Sequence, residues 1–299
     1  MRFQSLAMGW RWIRPHTLTA SFIPVLMGTA LAFSRGVFDL WRFLAMFIAS
    51  LLIQAGTNLI NEYYDFRRGL DNADSKGIGG AIVHDQVPAH QVLRLALILF
   101  AVAIALGVYL ASVTSVWLLV VGLAAMAVAY VYSAGPYPIA YTPFGEIVSG
   151  VLMGGLIVVL SFYIQVRQVS SGSLLLALPA ILLVGSILMA NNLRDLENDR
   201  AHGRHTLAII LGRNNAIRLF SSMLAAAYLI GMATWIWYFH TPWLFLALIS
   251  IIWGTRAIAG FFATAEPSGL VPAMKATALT NTVFGLGITL GLVVMHTIR

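Results

Sequence analysis

The 299-residue chain is 60% hydrophobic and only 10% charged, a balance that excludes a soluble domain with a wetted, charged surface and places the chain in a membrane. Eighteen Lys and Arg against eleven Asp and Glu leave a net charge of +7, too little for a nucleic-acid binder and suited instead to lipid headgroups and anionic substrates. Cysteine is absent, which excludes disulfides, thiolate metal sites and cysteine nucleophiles, so any metal must sit on oxygen or imidazole.

Arg2, Arg11 and Arg14 precede the first apolar run, but no small-residue cleavage site closes it, so the segment is expected to stay as a first helix rather than leave as a signal peptide. A bilayer core of about 30 Å takes about 20 apolar residues per helix. In chain order that window finds spans near 16–34, 41–64, 91–112, 115–133, 144–166, 173–195, 216–239, 242–263 and 273–296. Leu95 to Val108 and Leu174 to Leu188 are apolar on every face, a pattern that suits helices and not the alternating strands of a barrel. The expectation is an all-α polytopic membrane protein, nine transmembrane helices in one bundle and one domain over residues 1–299.

Counting Lys and Arg against these spans puts fourteen on the side of the N-terminus and four on the other. The positive-inside rule then places the N-terminus, and the loops after the second, fourth, sixth and eighth spans, in the cytoplasm of a plasma-membrane protein.

Eight of the eleven acidic residues lie in two short segments, Glu62 to Asp85 and Asp195 to Asp199, each at the expected cytoplasmic end of an apolar helix. Charge at such a place is costly unless it lines a wet cavity or binds something, so the default expectation is a functional site. In the first segment Asn58, Asn61 and Asp65 share one helical face. Asp71 would point elsewhere on an unbroken helix, and Gly69 supplies a break that folds it back. In the second, Asn191, Asp195 and Asp199 repeat at intervals of four on what reads as one continuous face, and the two Asn-x-x-x-Asp elements suggest an internal duplication. Glu62 and Glu197 fall off these faces and are expected beside the site or in solvent. Carboxylates stacked this closely repel unless a cation lies among them. Magnesium suits such all-oxygen ligands and bridges them to phosphates, for which Arg67, Arg68, Lys76, Arg194, Arg200 and Arg204 supply donors. The pattern points to a metal-bound diphosphate, and the absence of a Walker loop or GxGxxG argues against a nucleotide. The competing explanations are solvated charge at a membrane edge and an ion-coupled transporter. Transporter sites, however, lie near the bilayer midplane.

Asn61-x-x-x-Asp65-x-x-x-x-x-Asp71, with Asn191-Asn192-x-Arg194-Asp195-x-x-x-Asp199-Arg-x-x-Gly203-x-x-Thr206-Leu, resembles the UbiA superfamily of intramembrane aromatic prenyltransferases. Asn61 to Asp71, Gly77-Ile-Gly-Gly-Ala-Ile and Gly135-Pro-Tyr-Pro-Ile-Ala-Tyr141-Thr-Pro-Phe-Gly145-Glu146 are similar to its naphthoate-type members. The resemblance implies Mg2+ held through a polyprenyl diphosphate by Asp65, Asp71, Asp195 and Asp199, with Asn61 and Asn191 or Asn192 assisting. The second acid of the first motif is commonly found four residues after the first, where this chain has Gly69, so Asp71 takes that place and Asp74 is the alternative. The reaction implied is ionisation of the allylic diphosphate and capture of the cation by an aromatic acceptor. The acceptor that the resemblance implies is 1,4-dihydroxy-2-naphthoate, with loss of its carboxylate, as in menaquinone biosynthesis; 4-hydroxybenzoate, homogentisate, protohaem and chlorophyllide are the alternatives. Tyr63, Tyr64, Tyr132 and Tyr141 are candidates to face the cation, unless they form an interfacial belt. Glu146 is the candidate to orient or deprotonate the acceptor, and the loops at 71–88 and 200–213 are expected to cover the site.

Overall fold

The computed structural model describes Trp12, residues 14–71 and residues 80–298. Asp74, Lys76, Gly77 and Gly79, singled out above, lie outside the described residues. Among the described residues the chain is all helical. The principal helices are α1 (Pro15–Phe33), α2 (Leu40–Arg67), α3 (Ala89–Val113), α4 (Val116–Val131), α5 (Gly145–Val166), α6 (Ser171–Arg194), α7 (Arg213–Phe239), α8 (Pro242–Ala263) and α9 (Pro267–Thr297). Seven of these, α2, α3 and α5 to α9, are long and apolar enough to cross a bilayer, and α1 and α4 are shorter apolar helices.

The ends are set locally. The Asp39 side chain accepts the Arg42 N–H at the start of α2, and Ser170 and Ser173 form a reciprocal capping box on α6, each satisfying backbone donors that a helix start leaves bare.

In the centre, α6 packs on α5, α7 and α9, and α1 packs on α2, α5 and α9. Fully buried Phe220, Trp235, Phe261 and Phe284 fill the space around them. On the outside, α4 packs chiefly on α3 and exposes Val116, Trp117, Val120 and Leu123, the apolar surface expected of a helix that faces lipid.

Lipid gives apolar helices no hydrophobic reason to associate, so close backbone approach at small residues does that work. Two glycines show the tolerance. A Cβ on Gly154 of α5 would lie 2.4 Å from the Ala180 carbonyl oxygen of α6, and one on Gly287 of α9 would lie 2.6 Å from the Ala247 nitrogen of α8. Backbone cannot yield as a side chain can. Gly287→Leu is therefore expected to destabilise the protein by about 1–3 kcal/mol or more through overpacking, read as a lower unfolding midpoint in detergent; an unchanged midpoint would show that the α8–α9 seam is loose.

Candidate active site

A cavity of about 880 Å³ lies between α1, α2, α3 and α4 on one side and α5 and α6 on the other. Its inner part is apolar, with Ile53, Leu119, Leu123, Leu156 and Leu160 in its wall, and its polar end carries both acidic segments.

Asp65 sits in the last turn of α2 and is buried. One of its oxygens accepts Arg204 Nη2 at 2.6 Å and the other accepts Asn61 Nδ2 at 3.0 Å. Arg204 also donates to Asp199 Oδ1 at 3.1 Å, so one guanidinium ties together carboxylates 134 positions apart in the chain. The fork geometry of arginine suits this double role. The Arg204 guanidinium lies 5.0 Å from the Tyr141 ring centre, a cation–π contact. Beyond the end of α2, Gly69 adopts φ +77° and the chain doubles back until the Leu70 and Asp71 N–H groups both point at the Asp65 carbonyl. Asp71 thereby enters the cavity wall beside Asp65.

The second segment is not one continuous helix. The α6 helix stops at Arg194, Asp195 forms the junction, and a short helix Leu196–Ala201 follows. The Asp199 N–H still bonds the Asp195 carbonyl at 2.8 Å, so the four-residue spacing survives the break. Arg194 grips both Asp195 oxygens, at 2.6 and 2.5 Å.

Burial, with the Asp65 charge next, pushes the Asp71 carboxyl up to about 6. At Asp199 burial outweighs the neighbouring Arg204 and lifts the carboxyl to about 7. Burial opposes the Arg204 charge, but Asp65 and Asp199 more than compensate and hold the guanidinium above its ordinary range. Asp199 Oδ2 is buried with no partner among the described residues. This is an oxygen-lined hollow short of positive charge, the donor set that a hard divalent cation takes. Among the described residues no three carboxylate or imidazole groups come close enough to form a ready cage. A cation here would complete its shell with phosphate oxygens and water.

Asn191, Asn192, Arg194, Asp195, Asp199, Arg204 and Tyr132 join Asn61, Asp65 and Asp71 in the cavity wall. Asn192 Nδ2 donates to buried Glu146 Oε1 at 2.8 Å, and burial followed by Glu146 drives the Tyr132 phenol well up. Other expected site residues lie elsewhere. Arg67 is exposed at the end of α2, and Arg200 is exposed and pairs with Glu197 at 3.1 Å. Arg68 donates to the Ser133 and Gly135 carbonyls with its guanidinium against the Tyr64 and Tyr141 rings, bracing the loop after α4. Tyr64 bonds Tyr130 through their hydroxyls at 2.9 Å and meets Tyr63 edge to face.

Sequence reasoning passed over Arg14, Thr17, Gln54 and Ser133. Arg14 Nη1 reaches Asn61 Oδ1 at 3.3 Å, Ser133 Oγ accepts from Asn61, and Thr17 Oγ1 accepts from Gln54 and Asn58. Arg14, Thr17 and Ser133 find their partners in distant segments, which no local spacing signals; Gln54 also donates to Asn58 at 3.2 Å, four residues on, so the helical spacing that marked Asn58, Asn61 and Asp65 could have found it.

The description "UbiA prenyltransferase family" fits residues 21–279. A 1,4-dihydroxy-2-naphthoate octaprenyltransferase of Bacillus subtilis is 47% identical over 287 residues, covering 96% of this chain and 92% of that protein. The apo structure of a UbiA homologue from Aeropyrum pernix matches with a TM-score of 0.72 at 18% identity, over 92% of this chain and 98% of that one. A UbiA homologue from Archaeoglobus fulgidus, bound to GPP and Mg2+, matches with a TM-score of 0.59 at 17% identity, over 94% and 99% of the two chains.

Proposed function

The chain belongs to the UbiA prenyltransferase family, and from that premise we propose that it transfers a polyprenyl group from an allylic diphosphate to 1,4-dihydroxy-2-naphthoate, with loss of the ring carboxylate to give a demethylmenaquinone-type product. The observation that carries the chemistry is the meeting of both acidic segments, through Arg204, at the polar end of an otherwise apolar cavity. The naphthoate acceptor rests on the Bacillus relative, 47% identical over nearly the whole chain.

Asp65, Asp71, Asp195 and Asp199 would hold Mg2+ together with the diphosphate, and Asn61 and Asn191 would support them. When bound, the ion supplies positive charge against the pyrophosphate that accumulates as the allylic C–O bond breaks. Arg194 and Arg204 already stand at that end of the cavity and add donors to the leaving phosphates. The apolar wall accommodates the prenyl tail and leaves the cation no water to react with. Tyr132 offers a ring face in the same wall. Glu146, held by Asn192, would orient the acceptor, whose ring carbon takes the prenyl group as carbon dioxide departs. Purified protein given Mg2+, a polyprenyl diphosphate and a panel of acceptors is expected to prenylate dihydroxynaphthoate, to stop with EDTA and to resume with added Mg2+. Mass spectrometry that finds only prenylated hydroxybenzoate would overturn the acceptor assignment.

The whole chain acts as one domain, with α1 to α9 as nine spans of the cell membrane and the site on the cytoplasmic side. The fourteen-to-four charge bias supports this orientation. Because the chain has no cysteine, His84→Cys supplies a single thiol beside the site. It is expected to resist an impermeant maleimide in intact cells and to react after lysis; labelling of intact cells would reverse the topology.

A further inference from the structure

Glu62 lies in α2 between Asn61 and Asp65, lines the same cavity as they do and is only 1% exposed. The segment it meets is apolar: Ala81 and Ile82 belong to one buried cluster with Leu59, Ile60, Val92 and Ala96. A carboxylate in such a place costs free energy unless it is bonded. One oxygen accepts the Ile82 N–H at 2.9 Å, 20 residues along the chain; the other, Oε2, is buried without a partner among the described residues.

The bonded amide belongs to a tight turn. The His84 and Asp85 N–H groups bond the Gly80 carbonyl at 2.8 and 3.0 Å, and the Val87 N–H bonds the Ala81 carbonyl at 2.8 Å. Ile82 N–H has no place in that scheme, and Glu62 supplies its acceptor. Gly80 permits the turn through φ +113°, where an added Cβ would strike the His84 ring at 2.3 Å. Gly80, Val83 and His84 line the same cavity as Asp71.

We propose that Glu62 is a positioning residue for prenyl transfer: its hydrogen bond to Ile82 fixes the 80–87 turn as part of the cavity wall and so keeps water from the allylic cation. The inference rests on the prenyl-transfer reading above. The physical reason is an obligatory one. Without Glu62 the Ile82 N–H is a buried donor with no acceptor, and the turn must lift to hydrate it, which opens the wall where the cation forms.

The test compares Glu62→Gln, which keeps a carbonyl oxygen for Ile82, with Glu62→Leu, which keeps the bulk and removes the acceptor. Each is given geranyl diphosphate, Mg2+ and dihydroxynaphthoate, and both the prenylated product and free geraniol are measured, alongside amide exchange over 80–87. Glu62→Leu is expected to raise the ratio of alcohol to product roughly tenfold, the loss of one buried hydrogen bond, and to speed exchange at Ile82, while Glu62→Gln stays near the parent protein. Simple loss of structure would lower both products together and leave the ratio alone. Gly80→Ala strains the same turn without touching Glu62, is expected to shift the ratio likewise, and decides the matter if Glu62→Leu fails to fold. An unchanged ratio in folded protein, or Glu62→Gln behaving as Glu62→Leu, overturns the proposal. If the parent protein transfers no prenyl group to any acceptor, the functional reading fails instead, and exchange at Ile82 still reports whether Glu62 is the anchor.

Discussion

Asp199→Asn is expected to lower turnover by roughly two to three orders of magnitude, the range that removal of one transition-state-stabilising group produces, while the protein stays folded. Asp199 is buried, shares Arg204 with Asp65 and keeps a second oxygen without a partner among the described residues. Asparagine has nearly the same shape and can still accept from Arg204, so packing changes little. On the proposed mechanism, what disappears is a negative charge that would help hold the cation, and with it stabilisation that would grow as pyrophosphate charge develops. The loss should therefore appear in kcat at least as strongly as in KM. Asp65→Asn, Asp71→Asn and Asp195→Asn are expected to fall in the same direction. Asp71 carries the additional question left by Gly69, and near-normal turnover in Asp71→Asn alone would move its role to Asp74. Near-normal turnover in Asp199→Asn would sink the model in which both segments act together.

Arg204→Met is expected to damage stability and catalysis together. Removing one member of a buried ion pair leaves its partner charged in a poor solvent, at about 3–5 kcal/mol, and here two carboxylates, Asp65 and Asp199, lose the same partner. The Tyr141 ring loses its cation as well. The unfolding midpoint in detergent should drop by several degrees, and activity should fall even in the folded fraction, because α2 and the segment after α6 are no longer tied. Arg204→Lys keeps the charge but cannot span both carboxylates with a rigid fork, so it should recover part of the stability and little of the turnover. A double-mutant cycle with Asp65→Asn measures the coupling directly; additive effects would mean that Arg204 acts on substrate alone.

Lipid explains how much the sequence by itself determined. Inside a bilayer every backbone polar group must be bonded within the chain, so apolar runs of the right length become helices, and the expected spans fall within a few residues of α1 to α9. The largest offset is at α9, expected from 273 and found from Pro267, because it opens with a 3-10 turn, Pro267–Leu270. Helical spacing likewise marked Asn61 with Asp65, and Asn191 with Asp195 and Asp199, since residues three and four apart share a face whatever the rest of the molecule does. The break at Asp195 escaped that logic, because a four-residue interval reads the same across a junction as within a helix.

Only the tertiary structure decided which charges meet. Six basic residues stood close to the acidic segments in the chain, yet Arg204 spans Asp65 and Asp199 while Arg200, four positions earlier, faces solvent with Glu197. Arg14, 47 positions from Asn61 in the chain, reaches its side chain in the cavity wall. Glu62 was expected beside the site or in solvent, but the fold buries it in the cavity wall, where one of its oxygens takes an amide 20 residues away. Spacing along a helix fixes direction from that helix's own axis; which partner lies in that direction depends on how the other helices pack, and local sequence does not encode that.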